Sequence, residues 1–333
     1  MSVETTQHKA NQNAKLSRLS DAFRVMSDQE FDPVELRAYL DANNGIKGLE
    51  ILQPHDVDEA VRLFRRDGFV VVADVLDEEQ IDFLAKGCEE VVGEIVALEN
   101  QLGGNRGPGR YSFGGSSMTR SQLHRPEWQM LLDVPSVDRI VSAIFGSNAY
   151  VLRAASGDFC MPGTLNYQPL HSDCSDWKSA DASPYSAFYD PQGVMSVRDL
   201  PCPYLCVNFL PQAITRLNGP TRQIPGTQNS RAPIPTLAQE PEWMKLSTVC
   251  PAPAGAVMIR DVRAWHSGSP NVSNAMRAIP NIELYAPWFR EPIKPGISYQ
   301  AFQQLSDRAQ QIARESVADS GVDLKTGPVV FAP

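Results

Sequence analysis

Short segments rich in apolar and β-branched residues follow one another between residues 149 and 285, and this pattern constrains the fold more than any other feature. The predicted strands span residues 149–155, 158–161, 165–171, 204–210, 222–224, 256–260 and 278–285. Irregular, proline-rich stretches separate these segments, and no helical periodicity interrupts them. Short strands with turn-forming residues and no helices between them favour an antiparallel barrel or a jelly roll.

Helical patterns lie on both sides of the predicted strands. An apolar stripe from Val57 to Phe64 predicts a helix that ends at Gly68. Asp77-Glu-Glu-Gln80 has the form of a capping box and predicts the start of a longer helix. A further amphipathic pattern predicts a C-terminal helix at about 300–318. We therefore expect a mostly β protein with flanking helices.

The sequence suggests one main domain preceded by an extension. Residues 1–50 are expected to form an N-terminal tail and a helical extension, because 33–43 has helical spacing with Pro33 suited to a first turn. Residues 51–333 are expected to form a single domain, with the strand core at about 149–290.

Composition excludes several classes of function. The net charge of −9 and the isoelectric point near 5.1 argue against a nucleic-acid-binding surface. No apolar stretch approaches the ~20 residues that span a bilayer, and the N-terminus lacks the apolar region of a secretory signal. The six cysteines form no disulfide framework, which favours the cytoplasm. We expect a small-molecule substrate, no nucleic-acid or membrane partner, and a monomer or homodimer.

A His-x-Asp motif carries the first indication of chemistry. The chain has only five histidines, of which His171 lies two residues before Asp173 and His266 follows much later. On a strand, residues two apart point to the same side. Two imidazoles and one carboxylate are the ligands of the facial triad that holds non-haem Fe(II). The motif alone is weak evidence, so its surroundings matter.

Three segments around these residues follow a family pattern. Residues 166–177 enclose the His-x-Asp motif, Asn218-Gly-Pro-Thr-Arg-Gln-Ile-Pro-Gly-Thr227 follows, and Arg277 lies beyond the distal His266. In type, order and spacing they resemble the phytanoyl-CoA dioxygenase family of Fe(II)/2-oxoglutarate-dependent oxygenases. The resemblance extends from about residue 57 to about residue 290.

The resemblance implies both a fold and a cofactor set. The strands would form a double-stranded β-helix, which is a cupin-like jelly roll. His171, Asp173 and His266 would be the catalytic residues and would bind Fe(2+). 2-Oxoglutarate and O2 would be cosubstrates, and succinate and carbon dioxide would be coproducts. Asp173 argues against halogenation, because related halogenases carry a small residue in place of this carboxylate.

The same resemblance implies a binding site for 2-oxoglutarate. Arg277 is expected to bind the distal 5-carboxylate, since a guanidinium can donate two hydrogen bonds to a carboxylate. Gln168 is similar to the amide that contacts the 1-carboxylate in part of the family, and Thr221 is a further candidate. Ser269 is a candidate hydroxyl donor, because Gly268 stands where some relatives carry the hydroxyl group.

Substrate contacts and the reaction outcome stay open at this point. Trp177 lies where relatives place an aromatic residue near the substrate, and Arg110 and Tyr111 belong to a glycine-rich stretch suited to a substrate-proximal loop. Hydroxylation of a small molecule is the leading prediction. Desaturation, epimerisation or endoperoxidation of a natural-product intermediate would use the same cofactors. A non-catalytic binding protein and a cupin-type metal hydrolase are the alternatives outside this chemistry.

Overall fold

The computed structural model of the 333-residue chain describes residues 32–98, 104–114, 119–177 and 187–329. Most of the expected N-terminal extension, residues 1–31, therefore lies outside the described residues. Its last part is a helix, as predicted for 33–43, and the side chain of Asp32 accepts hydrogen bonds from the backbone at its start.

The secondary structure follows in chain order. The helices are α1 (Pro33–Asn43), α2 (Val57–Asp67), α3 (Glu78–Val96), α4 (Pro126–Met130), α5 (Pro135–Phe145), α6 (Glu242–Leu246), α7 (Tyr299–Phe302) and α8 (Asp307–Ala313). The strands are β1 (Ile51–Leu52), β2 (Phe69–Val72), β3 (Arg110–Phe113), β4 (Val151–Cys160), β5 (Ser175–Asp176), β6 (Ala187–Phe188), β7 (Tyr204–Phe209), β8 (Thr221–Gln223), β9 (Val257–Asp261), β10 (His266–Gly268) and β11 (Arg277–Tyr285). Short 3-10 turns cover Gln122–His124, Leu131–Asp133, Val197–Asp199 and Thr227–Asn229.

Two sheets face each other across a cavity. In the described part of the chain, the larger sheet has the strand order β1-β2-β9-β7-β11-β4-β3 and is antiparallel except for the β1–β2 pair. The smaller sheet pairs β10 with β8. Residues of both sheets line the same cavity, which is the arrangement of a jelly roll. The predicted mostly β fold with flanking helices is confirmed.

The sequence divides one long strand in two. The predicted strands 149–155 and 158–161 are parts of the continuous β4, so the break expected between them is wrong. A Cβ atom on Gly157 would lie 2.4 Å from the ring of Phe113 and 2.9 Å from the Cα atom of Pro280. Gly157 therefore permits close packing between neighbouring strands rather than a turn.

The predicted strand 165–171 is also wrong as a regular strand. In that range only His171 forms a β-bridge, and its partner is His266 at the start of β10. Pro169 lies within the segment and has no backbone N–H to donate to a ladder, which explains why the pairing stays limited. The short strand β10 was not predicted, because its three residues carry no periodic signal.

Local capping explains where the helices begin and end. Gly68 adopts a φ of 82° and its N–H donates to Phe64 O, which ends α2 as predicted. Asp77 and Gln80 form both hydrogen bonds of a capping box at the start of α3. The C-terminal helix expected at about 300–318 is instead the two short helices α7 and α8, because Ser306 caps a new helix within the range.

The two faces of the larger sheet have different roles, as the alternation along β11 illustrates. Ala278 and Ile282 belong to the hydrophobic core, where α2, α3 and α8 contact β2, β11 and β4 respectively. Arg277, Asn281 and Glu283 point to the opposite face and line the cavity. The helices thus stabilise one face of the sheet and leave the other available for ligands.

None of the helices in the described segments combines the length and the apolar composition that a bilayer-spanning helix requires.

Two adjacent residues of α3 test this packing. Leu84 is fully buried in the core, whereas the neighbouring Phe83 is 39% exposed. We expect Leu84→Ala to lower the free energy of unfolding by about 2–5 kcal/mol through lost burial and a residual cavity. Phe83→Ala should lower the free energy of unfolding by well under half of the loss caused by Leu84→Ala. Urea denaturation of both proteins measures this difference. Equal losses would contradict this orientation of α3.

Candidate metal centre

Backbone hydrogen bonds bring the two distant histidines together. His171 N donates to His266 O at 3.1 Å, and His266 N donates to His171 O at 3.0 Å. The imidazole rings consequently lie side by side, with 4.3 Å between their centroids. Asp173 N donates to Val262 O at 2.8 Å, which holds the end of the His-x-Asp motif against the segment that precedes β10.

The three side chains converge on one point. Asp173 Oδ1 lies 3.7 Å from His171 Nε2, and Asp173 Oδ2 lies 3.4 Å from His266 Nε2. The potential ligand atoms of the three residues lie within 4.8 Å of one another. Within the described segments this is the only such cluster of three or more His, Cys, Asp or Glu side chains. Two nitrogen donors and one carboxylate oxygen fit Fe(II) with open coordination positions.

The ring nitrogens that face away from this point have backbone partners. His171 Nδ1 lies 3.2 Å from Pro169 O, and His266 Nδ1 lies 3.0 Å from Ala264 O. A carbonyl oxygen accepts a hydrogen bond only from a ring nitrogen that carries a proton. These contacts therefore favour the tautomer that is protonated on Nδ1 and keeps its lone pair on Nε2. That tautomer is the one a metal requires.

Arg260 is part of the centre, although the sequence analysis missed it. Its Nη2 donates to Asp173 Oδ2 at 2.8 Å, and its Nη1 lies 3.1 Å from His266 Nδ1. Arg260 can only donate a hydrogen bond to His266 Nδ1, whereas Ala264 O can only accept one from it. When a metal binds Nε2, Nδ1 carries the proton, so the hydrogen bond to Ala264 O is the one that forms. Arg260 lies at the end of an apolar run, where an arginine is expected to face solvent. Only its position on the cavity face of β9 identifies it.

The charges around the centre hold its ligands in a metal-binding state. Burial, reinforced by the charge of Arg260, places the pKa of His266 well below its ordinary value. Burial raises the pKa of Asp173, but its interactions with His266 and with the guanidinium group of Arg260 outweigh this effect and lower the pKa overall. At neutral pH the imidazole is therefore neutral and the carboxyl group ionised, which are the forms that bind metals.

A cavity of about 360 Å³ surrounds the triad. Of the candidate residues from the sequence, it brings together His171, Asp173, His266, Gln168, Thr221, Arg110, Tyr111 and Arg277. Most of the other lining groups are polar, and the majority of these come from β4, β7, β9 and β11. The site is therefore built by strands that are far apart in the sequence.

Arg277 is placed to bind an anion. It begins β11, is only 4% exposed, and its Nε donates to Gly219 O at 2.9 Å. Gly219 adopts a φ of 75°, a backbone conformation that glycine accepts without strain, and so turns this carbonyl group towards Arg277. This contact explains the Asn-Gly part of the sequence motif. The remaining guanidinium nitrogens form no hydrogen bond within the described residues.

Gln168 and Thr221 lie on either side of Gly268. The N–H of Gly268 donates to Gln168 Oε1 at 2.9 Å, and Gln168 N donates to Gly268 O at 3.0 Å. Thr221 is the direct β8 partner of Gly268 in β10. The side-chain carbonyl of Gln168 is thus occupied, which leaves its NH2 group as the donor for a ligand.

Two candidates from the sequence lie away from the cavity lining. Ser269 is fully buried, and its hydroxyl group already donates to Pro220 O at 2.6 Å. Trp177 is 48% exposed, and its backbone N–H donates to Phe188 O. Tyr111 does line the cavity, but its ring stacks on Phe159 at a centroid distance of 4.5 Å and is mainly part of the core.

Comparison with known proteins adds a family and a set of similar folds. The phytanoyl-CoA dioxygenase (PhyH) family matches residues 64–279 of the chain. HygX from Streptomyces hygroscopicus with nickel and 2-oxoglutarate bound has a TM-score of 0.51 and 13% identity, covering 72% of this chain and 90% of that chain. The HygX structure that also contains hygromycin B has a TM-score of 0.50 and 14% identity, covering 72% and 91%. At these identities the likeness concerns the fold alone.

A third similar structure is that of SnoK, a non-heme alpha ketoglutarate dependent carbocyclase from nogalamycin biosynthesis. Its TM-score is 0.47 at 17% identity, and the match covers 84% of this chain and all of that chain (100%).

We expect His266→Ala to abolish binding of Fe(II) or Ni(II) and Asp173→Ala to weaken it, because each removes one of three ligands. Metal content after dialysis measures this, with circular dichroism as a check on folding. Asp173→Ala should also lower the melting temperature, since it leaves the buried Arg260 without its carboxylate.

The matched control is His55→Ala, because the side chain of His55 is 81% exposed and lies outside the cluster. Its metal content should equal that of the wild type. Full metal binding by folded His266→Ala protein would place the metal elsewhere.

Proposed function

The chain belongs to the phytanoyl-CoA dioxygenase family and is a non-haem Fe(II)- and 2-oxoglutarate-dependent oxygenase, and we propose that it hydroxylates a polar small-molecule metabolite. The single observation that carries the proposal is that the two-histidine, one-aspartate cluster and the buried Arg277 share one cavity. Fe(II) bound there, with 2-oxoglutarate and O2, supplies the oxidising power for the reaction, and succinate and carbon dioxide are the coproducts.

The residues of the chain then have separate roles. His171, Asp173 and His266 hold the iron, and the contact of Arg260 with Asp173 fixes the direction of the carboxylate. Arg277 binds the distal carboxylate of 2-oxoglutarate with its free guanidinium nitrogens. These residues orient the reactants and exclude competing reactions, while the cosubstrates supply the oxidation.

The cavity wall supports a polar substrate. Asn208 on β7 and Asn281 on β11 are direct cross-strand partners, are 6% and 5% exposed, and line the cavity. Neither side-chain amide has a hydrogen-bond partner within the described residues, and Asn208 Nδ2 and Asn281 Oδ1 are fully enclosed. An unsatisfied buried polar group costs about 1–3 kcal/mol, so a ligand with hydroxyl or amide groups would restore these bonds.

The outcome of the oxidation depends on how the substrate is oriented. Asp173 occupies the position that a halogenase leaves free, so an oxygen-transfer reaction is favoured over halogenation. Desaturation, epimerisation and endoperoxidation differ from hydroxylation only in substrate pose, and the mass of the product separates them.

The decisive experiment supplies purified protein, Fe(II), 2-oxoglutarate and ascorbate to fractionated metabolite pools and measures succinate. Hydroxylation predicts substrate-dependent succinate together with a product that gains one oxygen atom. Loss of two hydrogens would indicate desaturation, and an unchanged mass would indicate epimerisation. The Asp173→Ala protein is the negative control. Product formation without 2-oxoglutarate would favour a metal hydrolase instead.

We also propose that the enzyme acts in the cytoplasm as a monomer or homodimer, without a nucleic-acid or membrane partner. All six cysteines are free thiols, and all but one are buried, which agrees with a reducing compartment. Gel filtration with light scattering determines the oligomeric state.

The cosubstrate assignment gives a quantitative prediction. Arg277→Ala should raise the apparent requirement for 2-oxoglutarate about 10- to 150-fold, because a charge-assisted hydrogen bond contributes about 1.5–3 kcal/mol. Arg277→Lys should recover only part of the loss, since an ammonium group cannot form the paired contact. Iron content should be unchanged in both proteins. An unaltered 2-oxoglutarate dependence in Arg277→Ala would assign the carboxylate to another residue.

A further inference from the structure

Two buried arginines lie in one row on the cavity face of the larger sheet. Arg110 begins β3 and faces Cys160 of β4, and Arg277 begins β11 and faces the same Cys160 from the other side. Directly opposed residues of antiparallel strands point to the same face, and neighbouring strands are about 4.8 Å apart. The two arginines therefore start about 10 Å apart, within reach of one ligand between them.

Neither arginine of this row has a carboxylate partner in the described part of the chain. Arg110 is 5% exposed, and its Nη2 donates to the backbone oxygens of Asn166 and Ser269. Arg277 donates to the backbone oxygen of Gly219. Carbonyl groups anchor these side chains but do not neutralise them.

Two other arginines of the cavity wall differ in this respect. Arg153 pairs with Glu283, and Arg260 pairs with Asp173. A buried charge without a counter-ion is costly, so the Arg110–Arg277 row requires an anion from outside the chain.

The nearby carboxyl group of Asp158 does not meet this requirement. Asp158 lies one row further along β4, opposite Ser112, which hydrogen-bonds to it. Burial raises the pKa of Asp158 although the charges of Arg106 and Arg277 oppose this, and among the described residues no ion pair joins Asp158 to Arg110 or Arg277. One carboxyl group at that position leaves the two guanidinium groups largely uncompensated.

The bare backbone at Gly268 is what lets Arg110 enter the site. A Cβ atom at this position would lie 2.2 Å from Arg110 Nη1 and 2.9 Å from its Cζ. The guanidinium group therefore rests on β10 itself, beside Gln168. In this chain a positive charge fills the place where some relatives carry a hydroxyl group.

We propose that Arg110 and Arg277 together bind the distal carboxylate of 2-oxoglutarate, an inference that rests on the proposed function. Arg277 donates from the β11 side and Arg110 from the β3 side, and Gly268 provides the space between them. The second guanidinium makes the site selective for a 2-oxo acid with a negative charge at its far end.

The test compares two ligands of equal chain length. 2-Oxoglutarate and 2-oxopentanoate chelate a metal through the same 1-carboxylate and keto group, but only the first has a distal carboxylate. Binding of each is titrated to the Fe(II)-loaded protein without O2, by the absorption band that appears on chelation. Arg110→Gln should weaken the binding of 2-oxoglutarate about 10- to 150-fold and leave the binding of 2-oxopentanoate unchanged.

Two further variants separate this role from a structural one. Gly268→Ala keeps Arg110 but displaces its guanidinium, so it should cause the same ligand-selective loss even if Arg110→Gln folds poorly. Arg139→Gln removes an exposed arginine of α5 that does not line the cavity, and it should change neither affinity.

Equal weakening of both ligands in Arg110→Gln and Gly268→Ala, or no weakening of either, would overturn the two-arginine site while leaving the proposed function intact. Wild-type protein that binds neither 2-oxo acid would overturn the proposed function and the inference with it.

Discussion

The backbones of His171 and His266 exchange two hydrogen bonds, and the geometry of the metal centre follows from this single β-bridge. It joins the segment after β4 to the start of β10 and sets both imidazoles side by side. Asp173 then lies against Val262 with its carboxylate between the two Nε2 atoms. Because side chains alternate along a strand, a shift of this pairing by one residue would turn one ligand away from the metal. The fold therefore specifies the site through backbone register.

The larger sheet stabilises the protein with one face and binds ligands with the other. On β11, Ala278 and Ile282 pack into the core while Arg277 and Asn281 face the cavity. Among the described residues, the cavity face includes buried amide groups without a hydrogen-bond partner and two buried guanidinium groups without a carboxylate partner. Such groups lower stability when no ligand is bound, so their retention is expected only where a ligand completes them. The helices that cover the outer face compensate for this cost.

The sequence predicts the composition of the site better than its arrangement. The triad and Arg277 were predicted because the segments that carry them resemble a known family, and the strand-rich core because its turn residues are local signals. Arg260 was missed, since its relation to Asp173 depends on the register of β9 and not on any neighbouring residue. The break expected within β4 was wrong, because a close approach between strands, here at Gly157, leaves no trace in the local sequence. Pairing between distant segments is the information that a periodic pattern cannot contain.

The distribution of charge along the cavity explains why a dicarboxylic 2-oxo acid suits it. One end combines the metal ligands with Arg260, whose charge is already matched by Asp173. The other end holds Arg110 and Arg277. Among the described residues, no carboxylate lies within ion-pair distance of either. A ligand with a chelating group at one end and a carboxylate at the other can bind the metal and neutralise the two arginines at the same time. The Arg153–Glu283 pair neutralises a further part of the wall, where the amides of Asn208 and Asn281 can recognise an uncharged substrate.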